Sequence, residues 1–394
     1  MTSEFAGRLP TLWHGEGITS QTTKRLAVGR ETLVIADSAI DGHLVAGYSA
    51  RTLTVDAPSV NVTAVVTIAR EIVRRRPKVI VAIGGGSVLD ASKIAALALS
   101  RGQVFDYAIG HASTSALTFL PHALPPVDII AVPTTIGTSS ETNSVGILKN
   151  ELGYRLIMGL ALRPRHAIID PCHLMTLTHA TVKEGALEAF LRLAGASTSS
   201  RRNTRANRDA VALGRALLDA ATRDSDSAAG RLRLARLSAA TQRSAALRGH
   251  NPYSARHWYA ANEVASLLEV RKIVATAAVI AAVWRRIFAG DVRWGDRESL
   301  EGFWTKVAGG MGLPLDPPTG IATLIDRWGI ERAPRPTGDD IDRISVATER
   351  AWGNRHPMLP GLVADDFRDV LRDSFWSPDL VGHDRRPPVF VSRR

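Results

Sequence analysis

The stretch Val79-Ile80-Val81-Ala82-Ile83-Gly84-Gly85-Gly86-Ser87 constrains this chain more than any other. Five apolar residues, most of them β-branched, run without a polar break, as a strand buried on both faces does. Three glycines and a serine follow, then an alanine-rich amphipathic segment, Ala91 to Leu99, with helical spacing. Strand, glycine turn and helix N-terminus together make an anion site. Unpaired backbone N–H groups point outward, and with no Cβ in the way a pyrophosphate approaches closely. The spacing is not Gly-x-Gly-x-x-Gly, because Leu89 stands where the third glycine of that pattern falls. The alternative is a tight strand-to-helix turn that binds nothing.

The same alternation continues on both sides. Thr32 to Asp37 reads as a strand ending in an acid. Such an acid either meets a ribose hydroxyl or caps the next helix. Ala64 to Arg76 reads as a helix whose basic end suits the C-terminal dipole. Asp128 to Pro133 is a second buried strand, running into the hydroxyl-rich loop Thr134-Thr135-Ile136-Gly137-Thr138-Ser139-Ser140-Glu141. That loop is either a second wall for a nucleotide or a merely polar connection. Ala167 to Asp170 closes this half as another strand. Beyond about Thr181 strand patterns stop, and Gly185–Ala196, Asp209–Ala221, Leu232–Leu247, Ala255–Ile287, Asp340–Trp352 and Ala364–Phe375 carry helical periodicity. The expected fold is an α/β N-terminal dinucleotide-binding domain with a mostly parallel sheet over residues 1–181, then an all-helical domain over 182–394.

With 394 residues, 45% of them hydrophobic and 22% charged, the chain has the composition of a soluble globular protein. Its formal charge of +11 is scattered and carried mostly by arginine, with only seven lysines, so an acidic substrate is a more economical partner than nucleic acid. The single cysteine, Cys172, excludes an intrachain disulfide and a cysteine-based zinc cluster. Met1 to Leu12 shows no signal pattern and no apolar run spans a bilayer, so the expectation is a cytoplasmic protein without a membrane partner.

In this order the segments resemble the iron-dependent alcohol dehydrogenase family, whose architecture glycerol dehydrogenases and dehydroquinate synthases share. Gly84 to Lys93 is similar to the family's GGGS-x-x-D-x-x-K, Pro133 to Glu141 to its PTT-x-GT-x-SE, and Pro164 to Pro171 to its P-x-x-A-x-x-DP. Trp352 to Pro357 and Asp366 to Phe375 resemble its Asn-Pro segment and closing helix. The resemblance implies NAD(P) bound by Asp37, Gly84, Gly85, Gly86, Ser87, Asp90, Thr134, Thr135 and Thr138, and a homodimer. An acid at Asp37 favours NAD, since a 2′-phosphate would be repelled, with NADP left open.

The family holds a divalent metal with an Asp and a His four apart on one helix, then two His fourteen apart. Laid on this chain, that pattern puts Glu188 at the acid, Arg192 at the first His, His257 at one later His and Arg271 at the last. Arginine stays protonated and has no lone pair to donate, so no metal is expected. Arg192 and Arg271 would instead clamp a substrate carboxylate, with Glu188 balancing an arginine and His257 as general base. The expected reaction is NAD-dependent oxidation of a small-molecule or peptide alcohol bearing a carboxylate. A β-hydroxy acid would then lose CO₂, as the daptide-type peptide-modifying branch of the family is expected to do with a C-terminal threonine. Three other readings stay open: an ordinary metal-dependent alcohol dehydrogenase or aldehyde reductase, a catalytically silent nucleotide- or peptide-binding homologue, and Glu188–Arg192 as a plain surface ion pair beside a solvated Arg271.

Overall fold

The computed structural model describes residues 9–40 and 51–377; the Pro- and Arg-rich stretch from Val381 lies outside them. The α/β half is built on a six-stranded sheet. Its strands are β1 (Thr11–His14), β2 (Thr32–Asp37), β3 (Arg51–Val55), β4 (Val79–Gly84), β6 (Asp128–Pro133) and β9 (His166–Ile169). They lie in the order β1-β9-β6-β4-β2-β3 and every pairing is parallel. Leu33, Ile35, Ile80, Ala82, Ile129 and Ala131 pack one face against α2 (Val62–Arg75) and α3 (Gly86–Ala96). Val34, Ala36, Val79, Val81, Ile83, Ile130 and Val132 pack the other, with Ile18 and Leu26 lying at or in α1 (Thr19–Ala27). Burial on both faces is why these strands read as unbroken apolar runs.

Strand β4 lies on the opposite side of β2 from β3, so the sheet order reverses between the C-terminal ends of β2 and β4. That is the crevice in which open α/β sheets take their ligands. Asp37 ends one strand and Gly84 the other.

A second sheet of three strands, missed by the sequence reading, follows α4 (Val104–Ala112). The hairpin β7 (Val145–Asn150) and β8 (Gly153–Met158) is antiparallel, and β5 (Leu117–Phe119) pairs parallel to β8.

After β9 the named elements are helical: α5 (His179–Ala196), α6 (Thr204–Arg223), α7 (Ala228–Arg243), α8 (His257–Leu267), α9 (Lys272–Phe288), α10 (Arg297–Ala308), α11 (Pro317–Arg327), α12 (Gly338–Trp352) and α13 (Ala364–Arg372). Thr178 caps α5 by accepting the Thr181 N–H, and α5 then runs through the interior. The stretch 255–287, expected as one helical segment, is two helices broken at Leu268–Arg271, where Glu269 takes φ +53°. One core joins the halves, since Ile136 and Ile169 pack with Leu187, Phe190, Leu191 and Trp284.

Candidate active site

The glycine turn forms as expected. Gly85 is the N-cap of α3 and offers no side chain to its first-turn amides, while Ser87 stands exposed at the mouth. The Thr134 N–H donates to the Gly84 carbonyl at 3.0 Å, which draws the hydroxyl-rich loop over the turn. A Cβ on Gly85 would meet Thr135 Cγ2 at 3.2 Å, and one on Gly86 would meet Thr138 Cγ2 at 2.8 Å. Turn and loop therefore approach with no room for side chains. Thr135 Oγ1 is buried without a hydrogen-bond partner among the described residues. Free helix amides, a glycine cradle and an unpartnered hydroxyl fit a pyrophosphate, so these residues suit a dinucleotide. Asp37, at the end of β2, is half-buried and accepts the Ala39 N–H at 3.1 Å through Oδ1.

Asp90 corrects the cofactor list. It is buried, its Oδ1 accepts from Ser140 Oγ and its Oδ2 accepts the Ile147 N–H at 3.0 Å. It also pairs with buried Lys93, whose ammonium donates to the Ser140 and Val145 carbonyls and to Asn143 Oδ1. Both carboxylate oxygens of Asp90 are thus engaged by the protein. The Asp-x-x-Lys pair fastens the loop after β6 and the start of β7 to α3; it does not reach for a ligand.

The loop hands the turn on to the helical half. Gly137 sits at φ +110°, and a Cβ there would lie 2.7 Å from the Gly185 carbonyl oxygen and 3.0 Å from Glu188 Oε2. A Cβ on Gly185 would in turn lie 2.5 Å from the Ile136 carbonyl oxygen. Two glycines let loop and helix touch, and this contact puts Glu188 under the loop. Burial raises the Glu188 carboxyl pKa, against the pull of Arg192 and Lys272.

Arg192, 5% exposed, lies one turn further along α5. Its Nη1 donates to Ser139 Oγ at 3.1 Å and Thr241 Oγ1 at 2.7 Å, and its Nη2 to the carbonyls of Gly137 at 2.5 Å and Thr138 at 3.1 Å. A guanidinium has five N–H donors, so all four on the terminal nitrogens are engaged by protein. Arg192 clamps the cofactor loop and has no fork left for a carboxylate. Arg271 is elsewhere too. Its guanidinium pairs bidentately with Glu184, a buried carboxylate one turn before Glu188, and Glu331 lies 3.6 Å away. The side chain is 55% exposed. The expected two-arginine carboxylate clamp does not form.

His257 is also displaced from its expected role. It is 2% exposed, its Nε2 has no partner among the described residues, and a Cβ on Gly195 would meet its Cε1 at 2.9 Å. Burial, with the nearby charge of Lys272, pushes the imidazole down to about 3. An imidazole so hard to protonate is a poor general base.

Beside Arg192 lies Trp258, and the charge acting on Glu188 with that of Arg192 is Lys272; the two stand one residue past the expected positions and are still fourteen apart. Lys272 Nζ lies 5.0 Å from the Trp258 ring centre, and Arg192 Cζ lies 5.7 Å from the same ring. Lys272 opens α9, at the positive end of the helix dipole. Burial and the charge of Arg192 push its ammonium down to about 8, against the pull of Glu188 and Asp90. No hydrogen bond or ion pair engages Nζ among the described residues. The sequence signal was a lone lysine at the head of the apolar run Ile273 to Val283.

Glu188, Arg192, Trp258 and Lys272 are not a donor set for a divalent metal: one carboxylate stands among two cations and an indole that only donates. No group of three or more His, Cys, Asp or Glu side chains is gathered for a metal among the described residues.

Residues 10–171 match the family described as iron-containing alcohol dehydrogenase. Phosphonoacetaldehyde reductase of Streptomyces viridochromogenes is 35% identical over 189 residues, 46% of this chain and 47% of that one. Mitochondrial hydroxyacid-oxoacid transhydrogenase of Xenopus laevis is 31% identical over 126 residues, 28% of this chain and 24% of that one. The chain thus spans less than half the length of these curated relatives. Among solved structures, NADH-dependent butanol dehydrogenase A of Thermotoga maritima superposes with a TM-score of 0.76 at 17% identity, over 93% of this chain and 97% of the other. The family match is confined to residues 10–171, in the α/β half, and the likeness to the solved structure is one of fold over 93% of the chain.

Proposed function

We propose that this chain is an NAD(P)-dependent oxidoreductase that interconverts an alcohol and a carbonyl compound, on a substrate bearing a negative charge and without a divalent metal on α5. The observation that carries this reading is the glycine turn at the sheet's switch point, laid by the Gly137–Gly185 contact directly against a polar site whose Lys272 ammonium forms no protein hydrogen bond among the described residues. A bound nicotinamide would supply or accept the hydride. The chain's own residues would bind, orient and handle charge: the turn amides and Ser87 hold the diphosphate, the Thr134–Thr138 loop covers it, and Arg192 keeps that loop down. Lys272 supplies the positive charge that a substrate carboxylate or a polarised carbonyl oxygen needs. A phosphonate-bearing aldehyde and hydroxy- or oxoacids, the compound classes in the two relatives' names, are the substrates to try first. A peptide ending in threonine is a further carboxylate-bearing alcohol.

The test is titration of NADH and NADPH by energy transfer from the eight tryptophans, followed by turnover with charged and uncharged aldehydes, keto acids, β-hydroxy acids and a C-terminal threonine peptide. Saturable binding with NADH preferred, and faster turnover of the anionic members, is expected. Binding of neither cofactor would refute the reading, and binding without turnover of any of them would favour a silent homologue.

A further inference from the structure

The charge that a metal would place beside the reacting oxygen has a counterpart in this site. Lys272 reaches it from the head of α9, Glu188 and Arg192 from α5 and Trp258 from α8; His257 lies behind Trp258, and the charge of Asp90 on α3, held by Lys93 and Ser140, acts on it from outside. Of the two cations, Arg192 gives three N–H groups to the loop and a fourth to Thr241 on α7, while Lys272 makes no hydrogen bond among the described residues and faces the Trp258 ring, with the Glu188 and Asp90 carboxylates adding their pull. Among the described residues no three His, Cys, Asp or Glu side chains gather here to hold a metal, whereas Lys272 can both hold a positive charge and release a proton.

Resting on the oxidoreductase reading above, we infer that Lys272 takes the metal's place as electrophile and proton donor at the substrate oxygen, with Glu188 restoring its proton. In the reducing direction the carbonyl carbon receives the hydride of a reduced nicotinamide and the C=O π pair moves onto oxygen. That oxygen takes a proton from Lys272 Nζ and leaves a neutral amine. The amine regains its proton from the Glu188 carboxyl, which burial keeps inclined to hold one, and Glu188 is reprotonated from water. Oxidation runs the same transfers backwards: neutral Lys272 takes the hydroxyl proton while the carbinol C–H leaves as hydride to the oxidised nicotinamide. Arginine at 272 would keep the charge but could not give up the proton.

The experiment compares wild type with K272M, K272R and E188Q, purified without chelator or nickel. Four readouts are taken: metal content, NADH affinity, kcat and KM across pH, and thermal melting. Active wild type without stoichiometric metal is expected. K272M, which trades a half-buried charge for a thioether of similar length, should fold and bind NADH within about threefold of wild type while kcat falls about 10²–10⁴-fold, the range lost with a general acid. K272R should lose kcat similarly yet keep the KM for an anionic substrate that K272M loses. Wild-type reduction should decline above pH about 8 and oxidation rise through the same range, limbs absent from K272R. Stoichiometric iron or zinc in the active protein, or K272M with wild-type kcat, overturns the inference and leaves the oxidoreductase reading standing. Failure of wild type to bind NADH or NADPH removes both.

Discussion

At Arg192 four N–H groups are held by Gly137, Thr138, Ser139 and Thr241, whereas Lys272 nearby makes no hydrogen bond among the described residues. Two cations in one site therefore do different work, the first as a loop anchor and the second as the charge offered to a ligand. The two residues that flank this arrangement by sequence, His257 and Arg271, are structural. His257 is buried neutral, so between pH 3 and 6.5 the unfolded chain binds a proton there that the folded chain does not. Stability must then fall as pH drops through 6.5, with a slope approaching about 1.4 kcal/mol per pH unit for this group alone. Melting curves from pH 7 to 4 should be flatter for H257L than for wild type, with cofactor affinity at neutral pH retained. Arg271 faces water, so its own attraction to Glu184 is screened and small. What R271A should cost is the stranding of a buried carboxylate, roughly 1–3 kcal/mol in a denaturation experiment, with kcat unchanged. A collapse of kcat in R271A with stability intact would restore it to the substrate site.

At the scale of elements, the contact that makes the site is loop on helix. Gly185 sits where the Ile136 carbonyl would be 2.5 Å from any Cβ, so G185A must push the Thr134–Thr138 loop outward or bend α5. Overpacking of this kind costs about 1–3 kcal/mol, and here it also moves the cofactor wall, so NADH affinity should fall together with the melting temperature. A G185A protein with wild-type affinity would mean that the loop does not cover the cofactor. Elements differ in how much of themselves they write into the sequence. β2, β4, β6 and β9 are buried on both faces and appear as apolar runs, and the glycine turn is legible because only glycine admits its close contacts. β5, β7 and β8 are short and alternate apolar with polar residues, and they left no such run. The break before α9 was invisible because Leu268-Glu269-Val270-Arg271 contains neither glycine nor proline; Glu269 itself takes the left-handed turn. The fourteen-residue spacing fits His257 and Arg271 as well as Trp258 and Lys272, so spacing alone does not separate the two pairs.

For the whole molecule, a parallel sheet sets a crevice at its switch point and a helical half closes one side of it, with α5 as the shared wall. The two halves are joined by core packing at Ile136 and Ile169 and by the Arg192 bonds, which hold the Thr134–Thr138 loop against α5. No helix among the described residues is long and apolar enough to cross a membrane. The most direct measurement is a crystal structure of the protein with NADH, collected with anomalous data at the iron and zinc edges. The pyrophosphate is expected over Gly84 to Ser87, with the nicotinamide facing Lys272 and Glu188 and no anomalous peak between them. A metal peak at Glu188, or a dinucleotide lying away from the glycine turn, would contradict this arrangement.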